Sequence, residues 1–330
     1  EISACLVGSE MCIRDSYSVA FYNMENLFDT IHDEGKNDYE YLPNGTNQWN
    51  TMKYKAKLKN MSEILSLLST DKLPMGPAII GVSEIENYRV LEDILKQPAL
   101  ADRGYQYVHY EGEDQRGVDC AFFYNPKLFE LTNSKLVPYV YINDTIHKTR
   151  GFLIASGNIA GEKMHFIVNH WPSRAAASPA RERAGEQVRA IKDSLLREDS
   201  AAKIVIMGDM NDDPMDKSMA VALGAKRKPA DVGPTDLYNP WWDTLKKGYG
   251  TLMYKGKWNL FDQIVFTGNL LGTDRSTLKF YKHEIFRRDF MFQKEGKYKG
   301  YPKRTQAGGV WLNGYSDHLP TIIYLIKEVK

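Results

Sequence analysis

The sequence predicts an α/β fold, and three observations predict it. Short apolar runs rich in β-branched residues and lacking alternation, Ala78 to Val82 and Ile204 to Met207, read as strands buried on both faces. Amphipathic helical patterns separate such runs, the clearest being Met52 to Leu68, with Leu58, Met61, Leu65 and Leu68 on one stripe. Between Phe152 and Met207 a hairpin, a helix and a strand follow one another, the order of one packed α/β unit. With 330 residues, 43% of them hydrophobic, a sizeable core is available. A length prior of roughly 150 residues per domain suggests two domains, but α/β folds often run longer as one. Lys and Arg number 43 and Asp and Glu 42, so whole-chain charge argues against tight sequence-independent binding of a nucleic-acid duplex. No apolar run reaches the roughly 18 residues of a membrane span.

The opening of the chain reads as foreign. Leu6-Val-Gly-Ser-Glu-Met-Cys-Ile-Arg-Asp15 is what CTC GTG GGC TCG GAG ATG TGT ATA AGA GAC encodes, a string that resembles a sequencing-library transposase adapter. Residues 1–16 are therefore expected to be a translated artefact and are set aside, which leaves 17–330 for fold reasoning. Cys5 and Cys12 go with them. Cys120 remains alone in a strand-like run, so neither a disulfide nor a thiolate metal site is expected.

Taken in order, Ser18 to Tyr22 reads as a strand, with Asn23 and Glu25 at its exit. Asp29 to Gln48 is a long polar loop, and the helix Met52 to Leu68 follows. The strand Ala78 to Val82 leaves through Ser83-Glu84-Ile85-Glu86, two acids that burial would not tolerate unpaired. Glu84 is the candidate for a site; Glu86 reads as an acid opening the next helix. Asp119 to Tyr124 is a strand entered through Arg116, a candidate phosphate contact. The hairpin arms Phe152 to Gly157 and Met164 to Val168 end in Asn169-His170-Trp171-Pro172-Ser173-Arg174, where His170 can titrate or bind a ligand. Ser178-Pro179 reads as a helix cap with Pro at the first position, and Arg181, Arg183 and Arg189 are expected on that helix's solvated side.

The strand Ile204 to Met207 runs into Gly208-Asp209-Met210-Asn211. Alternation places Asp209 and Asn211 on one side, a carboxylate and an amide able to hold a water and a phosphate oxygen. A Pro-, Gly- and Trp-rich stretch containing Trp241, Trp242 and Trp258 reads as a rim around a cleft. Leu260 to Phe266 is a strand carrying Asp262, an acid that needs a partner such as a histidine. From Arg275 to Arg304, ten Lys or Arg face three acids, a local +7 with Phe and Tyr interleaved, a mixture suited to phosphate-bearing strands. Ser316, Asp317 and His318 precede a last buried strand, Thr321 to Ile326.

Polar tips thus stand beside five strands and inside a sixth. Oxygen ligands and imidazoles without a thiolate suit Mg²⁺, Mn²⁺ or Ca²⁺ better than zinc or copper. They also suit water attack on phosphorus, where catalysis is positioning and charge stabilisation. Gly-x-Ser-x-Gly, the Walker lysine motif and the dinucleotide fingerprint do not occur.

Tyr22-Asn23, Ser83-Glu84, Asn169-His170, Gly208-Asp209-Met210-Asn211, Phe261-Asp262-Gln-Ile and Ser316-Asp317-His318 stand in the order found in the endonuclease/exonuclease/phosphatase superfamily, which they resemble from Tyr17 to Ile326. The resemblance implies one domain with the deoxyribonuclease I-like fold, a four-layer sandwich of two face-to-face mixed β-sheets flanked by helices. It implies that Asn23, Glu84 and Asp317 hold a divalent metal, Mg²⁺ or Mn²⁺ with Ca²⁺ as a further choice. It further implies that Asp209 orients or deprotonates the attacking water and that Asn211 holds a phosphate oxygen. His318, oriented by Asp262, would stabilise the phosphate, and His170 would serve as acid or phosphate ligand. Ser83 stands where many relatives carry Gln. The Asn-His-Trp-Pro-Ser-Arg string looks like a bacterial branch, whose members are often exported, implying a periplasmic or secreted location. Arg116 and Arg174 are added here as phosphate contacts.

The function expected is a metal-dependent phosphoesterase hydrolysing P–O bonds, with a phosphodiesterase or nuclease acting on nucleic acid preferred because of the basic-aromatic run. A phosphomonoesterase or a sphingomyelinase-like phospholipid hydrolase is the alternative enzyme, and a catalytically silent binding module the alternative of another class. The sequence carries no sign of a protein partner, and a monomer is the default.

Overall fold

The computed structural model describes residues 14–142, 144 and 146–328; Cys5, Cys12 and all but the last three residues of the foreign-looking opening lie outside them. In chain order the strands are β1 (Arg14–Leu27), β2 (Ile79–Ile85), β3 (Gln106–His109), β4 (Asp119–Tyr124), β5 (Glu130–Val137), β6 (Phe152–Ile159), β7 (Glu162–His170) and β8 (Lys203–Asp209). There follow β9 (Ala225–Lys226), β10 (Leu237–Tyr238), β11 (Leu252–Tyr254), β12 (Lys257–Asn259), β13 (Asp262–Thr267), β14 (Lys279–Ile285), β15 (Gln306–Ala307), β16 (Val310–Trp311) and β17 (Thr321–Glu328). The helices are α1 (Thr51–Leu67), α2 (Tyr88–Leu95), α3 (Ser178–Glu198) and the short α4 (Trp242–Lys246).

Two mixed sheets carry the fold, in the orders β14-β17-β1-β2-β4-β3 and β5-β6-β7-β8-β13-β10-β9. Each is built around a central parallel pair, β1 with β2 and β7 with β8, flanked by antiparallel neighbours, and the second sheet adds the short parallel pair β9 with β10 at its edge. That arrangement decides where the chemistry sits. The carboxyl ends of β1, β2, β7 and β8 and the amino ends of the antiparallel β13 and β17 all fall on one edge of the sandwich.

The faces between the sheets form one apolar core, in which Phe21, Ile79 and Phe122 meet Phe166, Met207 and Ile264. Gly81 shows how close the sheets come: a Cβ there would stand 2.5 Å from Met207 Sδ. The outer face of the first sheet packs on α1 and α2 through Leu58, Met61, Ile64, Val90 and Ile94. The outer face of the second packs on α3 through Ala184 and Val188. The result is the four-layer sandwich. Strand β8 is buried along its whole length, as an apolar run without alternation predicts.

Several local readings change. Strand β1 starts at Arg14, with Asp15 and Ser16 already paired to Lys327 and Ile326, so regular pairing begins before Tyr17. Ser178 is the first residue of α3 and not its cap; Ala177 holds that place and Ser178 Oγ donates to Glu182. Arg181 is buried, because Asp212 stands 2.9 Å from its Nε. Glu86 lies before the cap Asn87 and is buried, its Oε2 accepting from the Asp29 N–H at 2.7 Å. Burial, then the neighbouring Asp29, pushes its carboxyl up to about 9. Trp241 is fully buried core and forms no rim. Cys120 is buried, as a small core residue should be.

Candidate active site

The first acid of the site is aimed by an irregularity of its strand. Ser83 pairs with Cys120 and Ile85 with Asp119, leaving Glu84 as the extra residue of a β-bulge with φ of 58°. Bulges re-aim side chains, and a non-glycine residue in this conformation is held there by its surroundings. Asn23 supplies much of that hold: its Nδ2 donates to Glu84 Oε1 at 3.1 Å and to Asp209 Oδ2 at 3.0 Å. The Asn26 N–H donates to Glu84 Oε2 at 2.9 Å. Asn23 Oδ1 accepts from the Glu25 N–H, so the amide nitrogen is what faces the two acids.

Asp209 ends β8 beside His170, the end of the parallel strand β7, and opposite Asp262, the start of β13. The preceding Gly208 permits that pairing, because a Cβ there would come 2.3 Å from the Asn169 carbonyl. Asn211 follows in a left-handed turn, φ 51°, and strand parity therefore does not set its direction. Its N–H donates to Asp209 Oδ1 at 2.9 Å and its Nδ2 to the Trp171 carbonyl at 3.0 Å.

The loop before β17 completes the cleft. Ser316 Oγ donates to the Asn23 carbonyl, tying the loop to the end of β1. His318 Nδ1 donates to Asp262 Oδ2 at 2.7 Å, and its Nε2 stands 3.9 Å from Asp209 Oδ2 and 4.0 Å from Asp317 Oδ1. Across the cleft, His170 Nε2 is 3.7 Å from both Glu84 Oε1 and Asp209 Oδ2. Asn23, Glu84, His170, Asp209, Asp262, Asp317 and His318 thus share one cleft, drawn from six strand ends.

Burial raises the Asp209 carboxyl to about 7; the His318 charge pulls it down and Asp262 pushes it up. Burial opposes charge on His318, but Asp262 and then Asp209 outweigh it and hold the imidazole well above its ordinary value. His170 goes well below its ordinary value, first through burial and then through the Arg150, Arg116 and His318 charges.

The two residues expected as phosphate contacts both have acidic partners within the protein. Arg174 is held over the Phe261 ring at 4.4 Å, reaches Asp216 Oδ2 at 2.9 Å and donates through Nε to the Asn211 carbonyl at 3.0 Å. It braces the Asn211 turn. Arg116 is half exposed with Nε 3.7 Å from Asp114.

Sequence reasoning missed two charged arrangements, one buried and one half-buried. Arg150 donates to Asp114 Oδ2 at 3.0 Å and to the Trp171 carbonyl at 2.9 Å, behind His170. Arg304 joins Glu25 Oε1 at 2.8 Å to Asp317 Oδ2 at 3.0 Å, and Lys57 backs Glu25 at 4.0 Å. Arg304 was visible only as one cation of a basic run. Elsewhere in that run Lys279 donates to the Asn269 carbonyl and Arg287 lies 4.8 Å from both the Trp258 and Phe292 rings, while Lys294, Lys297 and Lys299 are exposed.

The donor set fits a hard divalent cation. One ligand atom each of Glu84, His170 and Asp209 lie within 4.8 Å of one another.

Fold and site together define a class: two-sheet α/β sandwiches with an acid and imidazole cleft at one edge. The chain belongs to the endonuclease/exonuclease/phosphatase family, whose family model matches residues 18–327. Among solved structures it is similar to an endonuclease/exonuclease/phosphatase family protein from Bacteroides thetaiotaomicron, at 15% identity and a TM-score of 0.59, over 97% of this chain and 98% of that one. It is similar to a mannosyl-6-phosphatase of Bacteroides thetaiotaomicron VPI-5482, at 14% identity and 0.57, over 94% and 99%. It is also similar to D. rerio TDP2 complexed with single strand DNA product, at 14% and 0.53, over 94% and 98%. At these identities the likeness is one of fold. No curated protein matches the chain.

Proposed function

We propose that the chain is a divalent-metal-dependent phosphoesterase in which water attacks phosphorus opposite the leaving oxygen. The observation that carries this reading is Asp209, a buried acid standing between an imidazole partnered by Asp262 and a second imidazole held neutral. Glu84 is the principal metal ligand, held by Asn23 and joined by Asp317. A bound Mg²⁺ or Mn²⁺ would compensate phosphate charge and lower the Asp209 pKa.

Asp209 then orients the attacking water and accepts its proton. Protonated His318 donates to a phosphate oxygen as charge develops there, and Asp262 keeps its ring in place. Neutral His170 lies against Glu84 and Asp209, where it binds a phosphate oxygen. Asn211, anchored on Trp171 and braced by Arg174, lines the same edge.

The family includes relatives whose names span a mannosyl-6-phosphatase and a single-strand DNA complex of TDP2, so membership alone leaves monoester and diester open. A nucleic-acid substrate rests on the run Arg275 to Arg304, where Lys279, Arg287 and Arg304 are engaged within the protein and Lys294, Lys297 and Lys299 are exposed; a small phosphate ester is the second reading. Protein stripped with chelator and resupplied with Mg²⁺, Mn²⁺ or Ca²⁺ should hydrolyse p-nitrophenyl phosphate or bis-p-nitrophenyl phosphate. Equal rates for wild type and Asp209→Ala on every ester would leave the fold as a silent binding module.

A further inference from the structure

Beside the acid end of the cleft lies a pocket that none of these roles uses. It has a volume of about 210 Å³ and begins where the phosphate centre ends. Asn26, whose N–H donates to Glu84, and Arg304, whose guanidinium meets Asp317, are both in its wall. Whatever is esterified to a phosphate at Asp209 and His318 has this space next to it.

The lining is unusually specific in chemistry. Glu40 offers a carboxylate, whose Oε2 also accepts from Asn47 Nδ2 at 3.5 Å, and Asn26, Asn47 and Gln306 each offer an amide. Carboxylates accept only, while amides donate and accept; together they match hydroxyl groups, which do both. Its aromatic rings are already occupied with one another: Tyr41 stacks on Phe28 at 4.2 Å and meets Trp49, which is buried, at 5.9 Å. They give a nucleobase little to stack on. The one cation of the wall, Arg304, is paired with Glu25 and Asp317, and the Glu40 carboxylate would repel a second phosphate. The space is below the roughly 300–1,000 Å³ typical of drug-sized ligand pockets, room for one ring and not for a chain.

We infer that this pocket binds the hydroxyl-rich leaving group of a phosphorylated monosaccharide, with Glu40, Asn47 and Gln306 as specificity residues. The inference rests on the phosphoesterase reading for the neighbouring centre and adds the substrate class.

The test compares kcat/KM on hexose 6-phosphates with that on p-nitrophenyl phosphate and on a single-stranded DNA oligonucleotide. Wild type should prefer a hexose 6-phosphate over p-nitrophenyl phosphate at least tenfold. Glu40→Gln, Asn47→Ala and Gln306→Ala should each cut that ratio severalfold, and the triple variant at least tenfold, with circular dichroism and melting temperature retained. A site built to hydrogen-bond hydroxyls discriminates strongly when those partners are removed. An unchanged ratio, or a wild-type preference for DNA, overturns the pocket assignment. Turnover of p-nitrophenyl phosphate that vanishes in Asp209→Ala would show that the phosphoesterase reading survives that failure. If no ester is turned over, saturation-transfer NMR with the free hexose decides the pocket alone. Transfer seen in wild type and lost in Glu40→Gln supports it, and no transfer overturns it.

Discussion

The two imidazoles of the cleft share a depth and differ in charge. Both His170 and His318 are buried, and both look onto Asp209. Behind His318 Nδ1 stands Asp262 at 2.7 Å; His170 Nδ1 makes no hydrogen bond among the described residues, and the Arg150 and Arg116 charges act against its protonation. Burial disfavours charge on both rings. Carboxylates overcome it at His318, and cations add to it at His170. The charge each ring favours therefore depends on its surroundings: carboxylates favour the cation at His318, and cations favour the neutral ring at His170.

The comparison breaks most sharply at the acid the two rings share. Asp209→Ala should lower kcat/KM by about 10³-fold, within the 10²–10⁴ range of a positioned base. Single-turnover assays at saturating Mg²⁺ would read it, and a loss below tenfold would remove Asp209 from the chemistry.

Asp262→Asn comes next, with about a 10²-fold loss in kcat. Because the His318 pKa is raised in the folded protein, its charged form contributes fully below the unfolded value near 6.5 and is lost as pH rises through the raised one. Weakening the carboxylate lowers that pKa, so the alkaline fall in activity should begin at lower pH. Ring-proton NMR of chelator-stripped protein should show His318 titrating earlier in the variant. An unmoved titration would mean that Asp262 does not hold the charge.

The catalytic edge was legible because alternation ends where a strand ends. Asp209, Asp262 and His318 each flank an apolar run, and a polar residue there has few structural reasons to be present. The direction of Glu84 and Asn211 was not legible in the same way. Parity is not what directs Asn211, which a left-handed turn places, and Glu84 owes its aim to a bulge visible only in the pairing of β2 with β4. Glu86 was misread because its partners, Asp29 and the loop around it, lie some sixty positions earlier. Arg150 and Arg304 were hidden for a related reason: in sequence each is one cation in a polar stretch, and only tertiary contact shows which carboxylate it meets.

Arg150→Met sharpens the other half of the comparison. It leaves Asp114 without its buried partner, and breaking such a pair from one side costs about 3–5 kcal/mol. Urea unfolding should show this as a lower midpoint with the slope unchanged. The same variant removes the largest charge that depresses His170, so that ring should titrate at higher pH in wild-type-like folded protein.

Arg116→Ala acts on the same imidazole from a half-exposed position, and its effect should be the smallest. Among the described residues its ion-pair partner is Asp114 at 3.7 Å, with solvent screening the pair, so stability should stay within about 0.5 kcal/mol of wild type. His170 should move in the direction seen for Arg150→Met but by less, since the Arg116 charge is the weaker of the two. The KM for p-nitrophenyl phosphate separates the two views of this residue. A change below about threefold fits a distant charge acting through His170, whereas a phosphate contact, as a charged hydrogen bond of about 1.5–3 kcal/mol, would raise KM more than tenfold.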